Sequence, residues 1–193
     1  MEGKEYLTSV IAFQAAPTVK GKKPSSLMAF NNSRGKDYPA LWKRYGQEIC
    51  RELELQYFEL KEGDGNVLVL FYRKAMLERY VSNKLSLQFL KSVGYGEAIT
   101  LEQKLQVLKQ RFIELCPHEV GIFLGIPIGD VEGFIRHKGK GCLMCRYWKV
   151  YSNPRRAELF FKDYDKARSS VAISVANNTQ LRNVVKKQQY SLT

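Results

Sequence analysis

Cys116, His118, Cys142 and Cys145 are the residues of this chain best suited to chemistry. A C-x-H pair followed by a C-x-x-C pair supplies four soft or borderline donors, enough for a closed tetrahedral zinc site. Residues 119–141 separate the two pairs, which leaves room for a compact structure between them. Read as packing alone, Cys116 and Cys142 are buried thiols and Cys145 opens a strand. A redox reading needs only Cys142 and Cys145, with Lys140, Arg146 and Lys149 nearby to lower a thiolate pKa. It ranks lower, because thioredoxin-like sites place this pair at a helix start and here it precedes a strand. His118 and Glu119 offer general acid/base chemistry, imidazole being the natural proton carrier near neutral pH. Neighbours on a helix point in different directions, so these two are not a hydrogen-bonded dyad by spacing.

Two further signals concern anions and nucleic acid. The stretch PTVKGKKP, residues 17–24, sets Lys20, Lys22 and Lys23 around Gly21, a loop able to cradle an anion through backbone and ammonium groups. It lacks the G-x-x-x-x-G-K-[ST] spacing of a P-loop. Arg73, at the end of an apolar strand, can bind an anion, pair with Glu78 or face water. Glu119 to Ile135 matches helix-turn-helix spacing, with Gly121, Leu124, Gly125, Ile126, Val131 and Phe134 in the expected places. Its second helix, however, presents Asp130 and Glu132 where base and phosphate contacts want Arg, Lys, Asn or Gln.

The elements that position these residues follow from local signals. Leu7, Val10, Ile11 and Ala15 predict a short helix stopped by Pro17. Residues 26–30 read as a strand and 31–36 as a polar turn. Asp37 and Pro39 open a helix with Leu41, Trp42, Tyr45 and Ile49 on one face, and Cys50 near its end reads as a small buried hydrophobe. Residues 53–60 and 67–73 flank a Gly- and Asp-rich turn and predict a β-hairpin. VLVLFY, apolar almost throughout, reads as a central strand covered on both faces. Residues 74–93 predict two helical pieces with a break near Ser82 and Asn83. Thr100 and Gln103 make a capping box, followed by Leu101, Leu105, Leu108, Phe112 and Leu115 as an amphipathic face. Pro117 predicts a helix start, with Val120, Phe123 and Leu124 inward and Gly125 as its stop. A second helix runs to about Lys138, with Val131, Phe134 and Ile135 buried. Residues 146–151 predict a strand, and Pro154 opens a long helix to about Ala176.

At 193 residues and 45% hydrophobic, the chain can bury a core. It has no run of apolar residues long enough for a membrane span. MEGKEYLTSVIAFQAAPTV has a short, broken apolar centre behind Glu2 and Glu5, which does not make a signal peptide. A cytoplasmic location and reduced thiols follow. The net charge of +12 favours an acidic partner: nucleic acid, a phosphorylated small molecule or another anion.

PHEVGIFLGIPIGDVEGFI, then KGKGCLMCRYWKVYSN, then RAELFFKDYDKAR resembles a bacterial family, the domain of unknown function 3793. AAPTVKGKKPSSL resembles the family's A-P-T-[LV]-x-G-x-K-P-x-x-L segment, and VLVLFYR its strand ending in Tyr-Arg. The resemblance brings no activity with it. It points to Pro17, Thr18, Lys23 and Pro24, to Tyr72 and Arg73, to His118 and Glu119, and to Trp148, Lys149 and Tyr151 as site residues. In the family the position of Cys116 is often Phe, which weakens the four-ligand zinc reading.

The expectation is an α+β domain over residues 1–176, with a basic extension at 177–193. A small, mostly antiparallel sheet, hairpin 53–73 plus strand 146–151, is covered by several helices. The functional expectation is a cytoplasmic accessory or ligand-binding protein. Its pocket gathers His118, Arg73 and Lys149 around a small anionic ligand, helped by free N–H groups at a helix start. The alternatives are an enzyme using His118 as general acid/base, a helix-turn-helix-like DNA-binding protein, and a zinc-binding protein.

Overall fold

The computed structural model describes residues 3–32, 35–63, 65–113 and 115–176. The extension expected at 177–193 lies outside the described residues. The fold is α+β: helices packed on a small antiparallel sheet, with a separate two-stranded ribbon.

The sheet has the order β1-β3-β2, where β1 is Ser25–Asn31, β2 is Gln56–Gly63 and β3 is Asn66–Tyr72. β3 is central, as its unbroken apolar sequence predicts, and it sorts its side chains between two cores. Val67, Val69 and Phe71 face one core, with Ile11, Met28, Phe30, Trp42 and Ile49. Leu70 and Tyr72 face the other, with Leu77, Leu105, Leu108 and Phe123. Trp42 anchors the first core, 5.2 Å from the Phe30 ring and 5.3 Å from Phe71. The strand expected to join the hairpin was 146–151. That place is taken by β1, whose Met28 and Phe30 fill the Trp42 core. Lys149–Val150 instead pairs with Met144–Cys145 as the ribbon β4–β5.

Helices α1 (Gly3–Gln14), α2 (Ala16–Val19), α3 (Tyr38–Glu52) and α9 (Pro154–Ala176) cover the first face. Pro17 does not end a helix. It sits in the first turn of α2, where its missing N–H costs nothing. Asp37 caps α3, accepting from the Ala40 amide at 2.9 Å. Helices α4 (Lys74–Ser82), α5 (Lys84–Leu90) and α6 (Leu101–Arg111) cover the second face. Asn83 caps α5 at the predicted break, and the Thr100–Gln103 capping box is present in full. α6 is shorter than expected: Leu115 lies beyond it and is 80% exposed.

α7 (Val120–Phe123) and α8 (Ile128–Arg136) form the expected hairpin. α7 is a single turn and does not reach back to Pro117. Gly125, in the left-handed region at φ 76°, closes it, and a β-carbon there would lie 2.5 Å from Pro24. On α8 the inward residues are Asp130, Val131 and Gly133. Ile135, expected inside, is 39% exposed. No helix among the described residues is long and apolar enough to cross a membrane.

Candidate functional site

The α7–α8 hairpin and the β4–β5 ribbon enclose a cavity of about 260 Å³. Pro117, Val120, Leu124, Val131, Phe134 and Trp148 give it apolar walls, and His118, Asp130, Lys149 and Cys116 supply its polar atoms. Phe134, on the outer part of α8, is the shared platform. The His118 ring meets it edge-on at 5.2 Å, and the Lys149 ammonium lies 5.8 Å from its centre. Lys149 reaches this position because β5 turns it outward while its Nζ donates to the Gly139 carbonyl at 2.7 Å. One of its three donors is used there and two are left. Two cationic or cation-forming side chains, 31 positions apart in sequence, therefore border one apolar hollow.

Arg73 is not among them. Its Nε donates to the Thr18 carbonyl at 2.8 Å and a terminal nitrogen to the Val19 carbonyl, so it caps the end of α2. A guanidinium satisfies two helix-end carbonyls well, and a residue at the start of α4 is placed to do it. Thr18 and Ser26 share a hydrogen bond at 2.8 Å in the interior, and Tyr72 is buried, which pushes its phenol up. The first-turn amides of α7 are also taken. The amides of Val120, Gly121 and Ile122 donate to the carbonyls of Pro117, His118 and Glu119. Glu119 turns into the core, where it pairs with Arg111 and accepts from Tyr95 Oη at 3.3 Å. Burial and this carboxylate push the Tyr95 phenol strongly up. Among the described residues, Glu119 thus leaves the exposed His118 without a carboxylate hydrogen-bond partner.

The residue that organises the site is one the sequence reading placed on a DNA-facing surface. Asp130 is 2% exposed and accepts four hydrogen bonds. Its Oδ2 takes the Trp148 indole N–H at 2.7 Å. Its Oδ1 takes the Tyr151 amide at 2.8 Å, the Ser152 amide at 2.9 Å and the Ser152 hydroxyl at 2.8 Å. One carboxylate thereby locks α8 to β5 and to the start of α9. An acid in the first turn of a helix is ordinary dipole chemistry, so its type and position gave no sign of this. Trp148 packs on Phe161 at 4.5 Å, and one edge of its ring faces the cavity.

One family profile matches residues 11–185, described as a protein of unknown function. The chain belongs to the DUF3793 family. All the cavity residues of this DUF3793 protein lie within the matched span. No curated protein and no solved structure matches the chain.

The remaining candidates of the DUF3793 chain are the cysteines and Lys23. Among the described residues, no three His, Cys, Asp or Glu side chains gather as a ligand set, so Cys116 and His118 do not meet Cys142 and Cys145. Cys116 is at the cavity rim, where burial and Glu119 push its thiol up. Cys145 lies on the ribbon and Cys142 just before it, both near Tyr151, which stacks on His137 at 5.6 Å. Lys23 belongs to a different region, the loop after α2.

Proposed function

We propose that this DUF3793 protein is a cytoplasmic binding or accessory protein whose cavity takes a small ligand with an apolar body and an anionic group. The observation that carries the reading is the shared platform: His118 and Lys149 meet the same Phe134 ring at the mouth of an apolar hollow. The two free donors of Lys149 and the exposed imidazole suit a carboxylate or phosphate, and the walls suit a ring or short chain. A cavity of about 260 Å³ suits a metabolite smaller than a drug-sized compound. Arg73, absorbed by α2, has no part in it.

The test uses an anionic aromatic fluorophore, an anilinonaphthalene sulfonate, together with native mass spectrometry of the freshly purified protein for a retained metabolite. One equivalent should bind, and Trp148 emission should change. Lys149→Ala and Phe134→Ala should each weaken binding about tenfold, the loss of one charge-assisted contact or one ring face. Binding left intact in both variants would remove the proposal.

A further inference from the structure

The loop after α2 folds back on its own helix. The Lys22 and Lys23 amides donate to the Pro17 carbonyl at 2.7 and 3.2 Å, with Gly21 at φ 61° forming the tip. α2 packs against α9, so this loop brings the Lys23 side chain toward Arg168. Lys23 is only partly exposed, and its side chain makes no hydrogen bond or ion pair among the described residues. The Arg168 Nε is buried without a partner. Its guanidinium lies over two rings, 5.0 Å from the Tyr147 centre and 5.8 Å from Phe13. The acid one turn before it, Asp165, is already engaged: its oxygens accept from Arg146 at 2.9 Å and from the Tyr147 hydroxyl at 2.8 Å.

Two cations drawn together out of water, with no acid between them, raise each other's energy. Burial and the Arg168 charge together push the Lys23 ammonium down to about 8. A bound anion would reverse both effects, since it restores hydrogen bonds and separates the like charges.

We propose that the seam between the α2 loop and α9 is a binding site for a phosphate-type oxyanion, held by the Lys23 ammonium and the Arg168 guanidinium. Two positive charges match a phosphate better than a single carboxylate, and the planar guanidinium can engage two oxygens at once. A free phosphate and a phosphate ester present the same chemistry to the two side chains. Neither residue lines the cavity over Phe134, so this site stands or falls apart from the proposed function.

The experiment titrates the full chain with inorganic phosphate and, separately, with phosphoserine, at constant ionic strength against chloride and acetate. Calorimetry and thermal unfolding supply the readouts. Saturable binding of phosphate, with a rise in Tm that chloride does not give, is expected. Stronger binding of phosphoserine would mark an ester as the occupant, and stronger binding of inorganic phosphate the free ion. Lys23→Met and Arg168→Met, which keep apolar stems in place, should each weaken binding by about tenfold or more. Arg168→Lys keeps the charge and loses the fork, and covers the case in which the methionine variant misfolds. Lys162→Met, at an exposed position of α9 outside both sites, should change nothing. A phosphate effect equal to that of chloride, or one lost in Lys149→Ala and kept in Lys23→Met, would overturn the assignment.

Discussion

Asp130 offers the sharpest test of how this site is built. In Asp130→Ala four donors lose their acceptor: the Trp148 indole, the Tyr151 and Ser152 amides and the Ser152 hydroxyl. Ser152 is exposed, so water replaces the carboxylate there at little cost. The indole N–H is buried and the Tyr151 amide partly so, and each forfeits a hydrogen bond to a charged group, about 1.5–3 kcal/mol. The expected loss is therefore about 3–6 kcal/mol, a large share of the roughly 5–15 kcal/mol that holds a typical domain folded. Asp130→Asn separates charge from shape. Its carbonyl can keep the three donors at Oδ1, but its amide then points N–H at the indole N–H. It should cost about 2 kcal/mol. Equilibrium urea unfolding, followed by far-ultraviolet circular dichroism and by tryptophan emission, measures both. If the carboxylate and the indole are coupled, Trp148→Phe should cost less in the Asp130→Ala background than in the wild type. Unfolding midpoints for both Asp130 variants within 1 kcal/mol of wild type would refute the reasoning, since four bonds to a buried charge cannot be lost so cheaply.

Three other outcomes can be checked with the same protein. Gly133→Ala places a β-carbon 2.4 Å from the Tyr151 β-carbon, so α8 must move off the ribbon, with an expected loss of about 1–3 kcal/mol in urea unfolding. Lys23 has a folded pKa of about 8 against an ordinary 10.5, so the unfolded chain holds more protons between those values and stability rises with pH across that window. Without phosphate, Lys23→Met should therefore be more stable than wild type by about 1–2 kcal/mol near pH 7, an advantage that fades as pH passes 8 toward 10; an advantage independent of pH would contradict it. Cys50 is 3% exposed and its thiol is pushed up to about 12, so it should react with an aromatic disulfide reagent only on unfolding, while exposed Cys116 and Cys145 react first in the native protein.

Elements governed by neighbours in sequence were legible before any coordinates. The Asp37 and Thr100 helix starts, the break near Asn83 and the long helix from Pro154 rest on contacts three or four residues apart, and the 53–73 hairpin on its turn, which residue type and spacing encode directly. The central place of β3 was legible as well, because a strand buried on both faces must be apolar on both. The partner of that hairpin was not. β1 won the third position through Met28 and Phe30 meeting Trp42 across a core, and nothing in the alternation of either candidate strand records that meeting.

The site divides along the same line. Residue types and the family resemblance together pointed to His118, Arg73 and Lys149 for one pocket and to Cys50 as a small buried hydrophobe, because imidazole, guanidinium, ammonium and a thiol in an apolar helix carry those tendencies anywhere. Which groups share a hollow was settled by packing: Phe134 under His118 and Lys149, Arg73 consumed by the end of α2, Glu119 drawn to Arg111, and Asp130 turned from a supposed surface acid into the buried acceptor of four donors. A side chain's chemistry is local, but its partners come from segments far away in the chain, and only the folded packing brings them within hydrogen-bond reach.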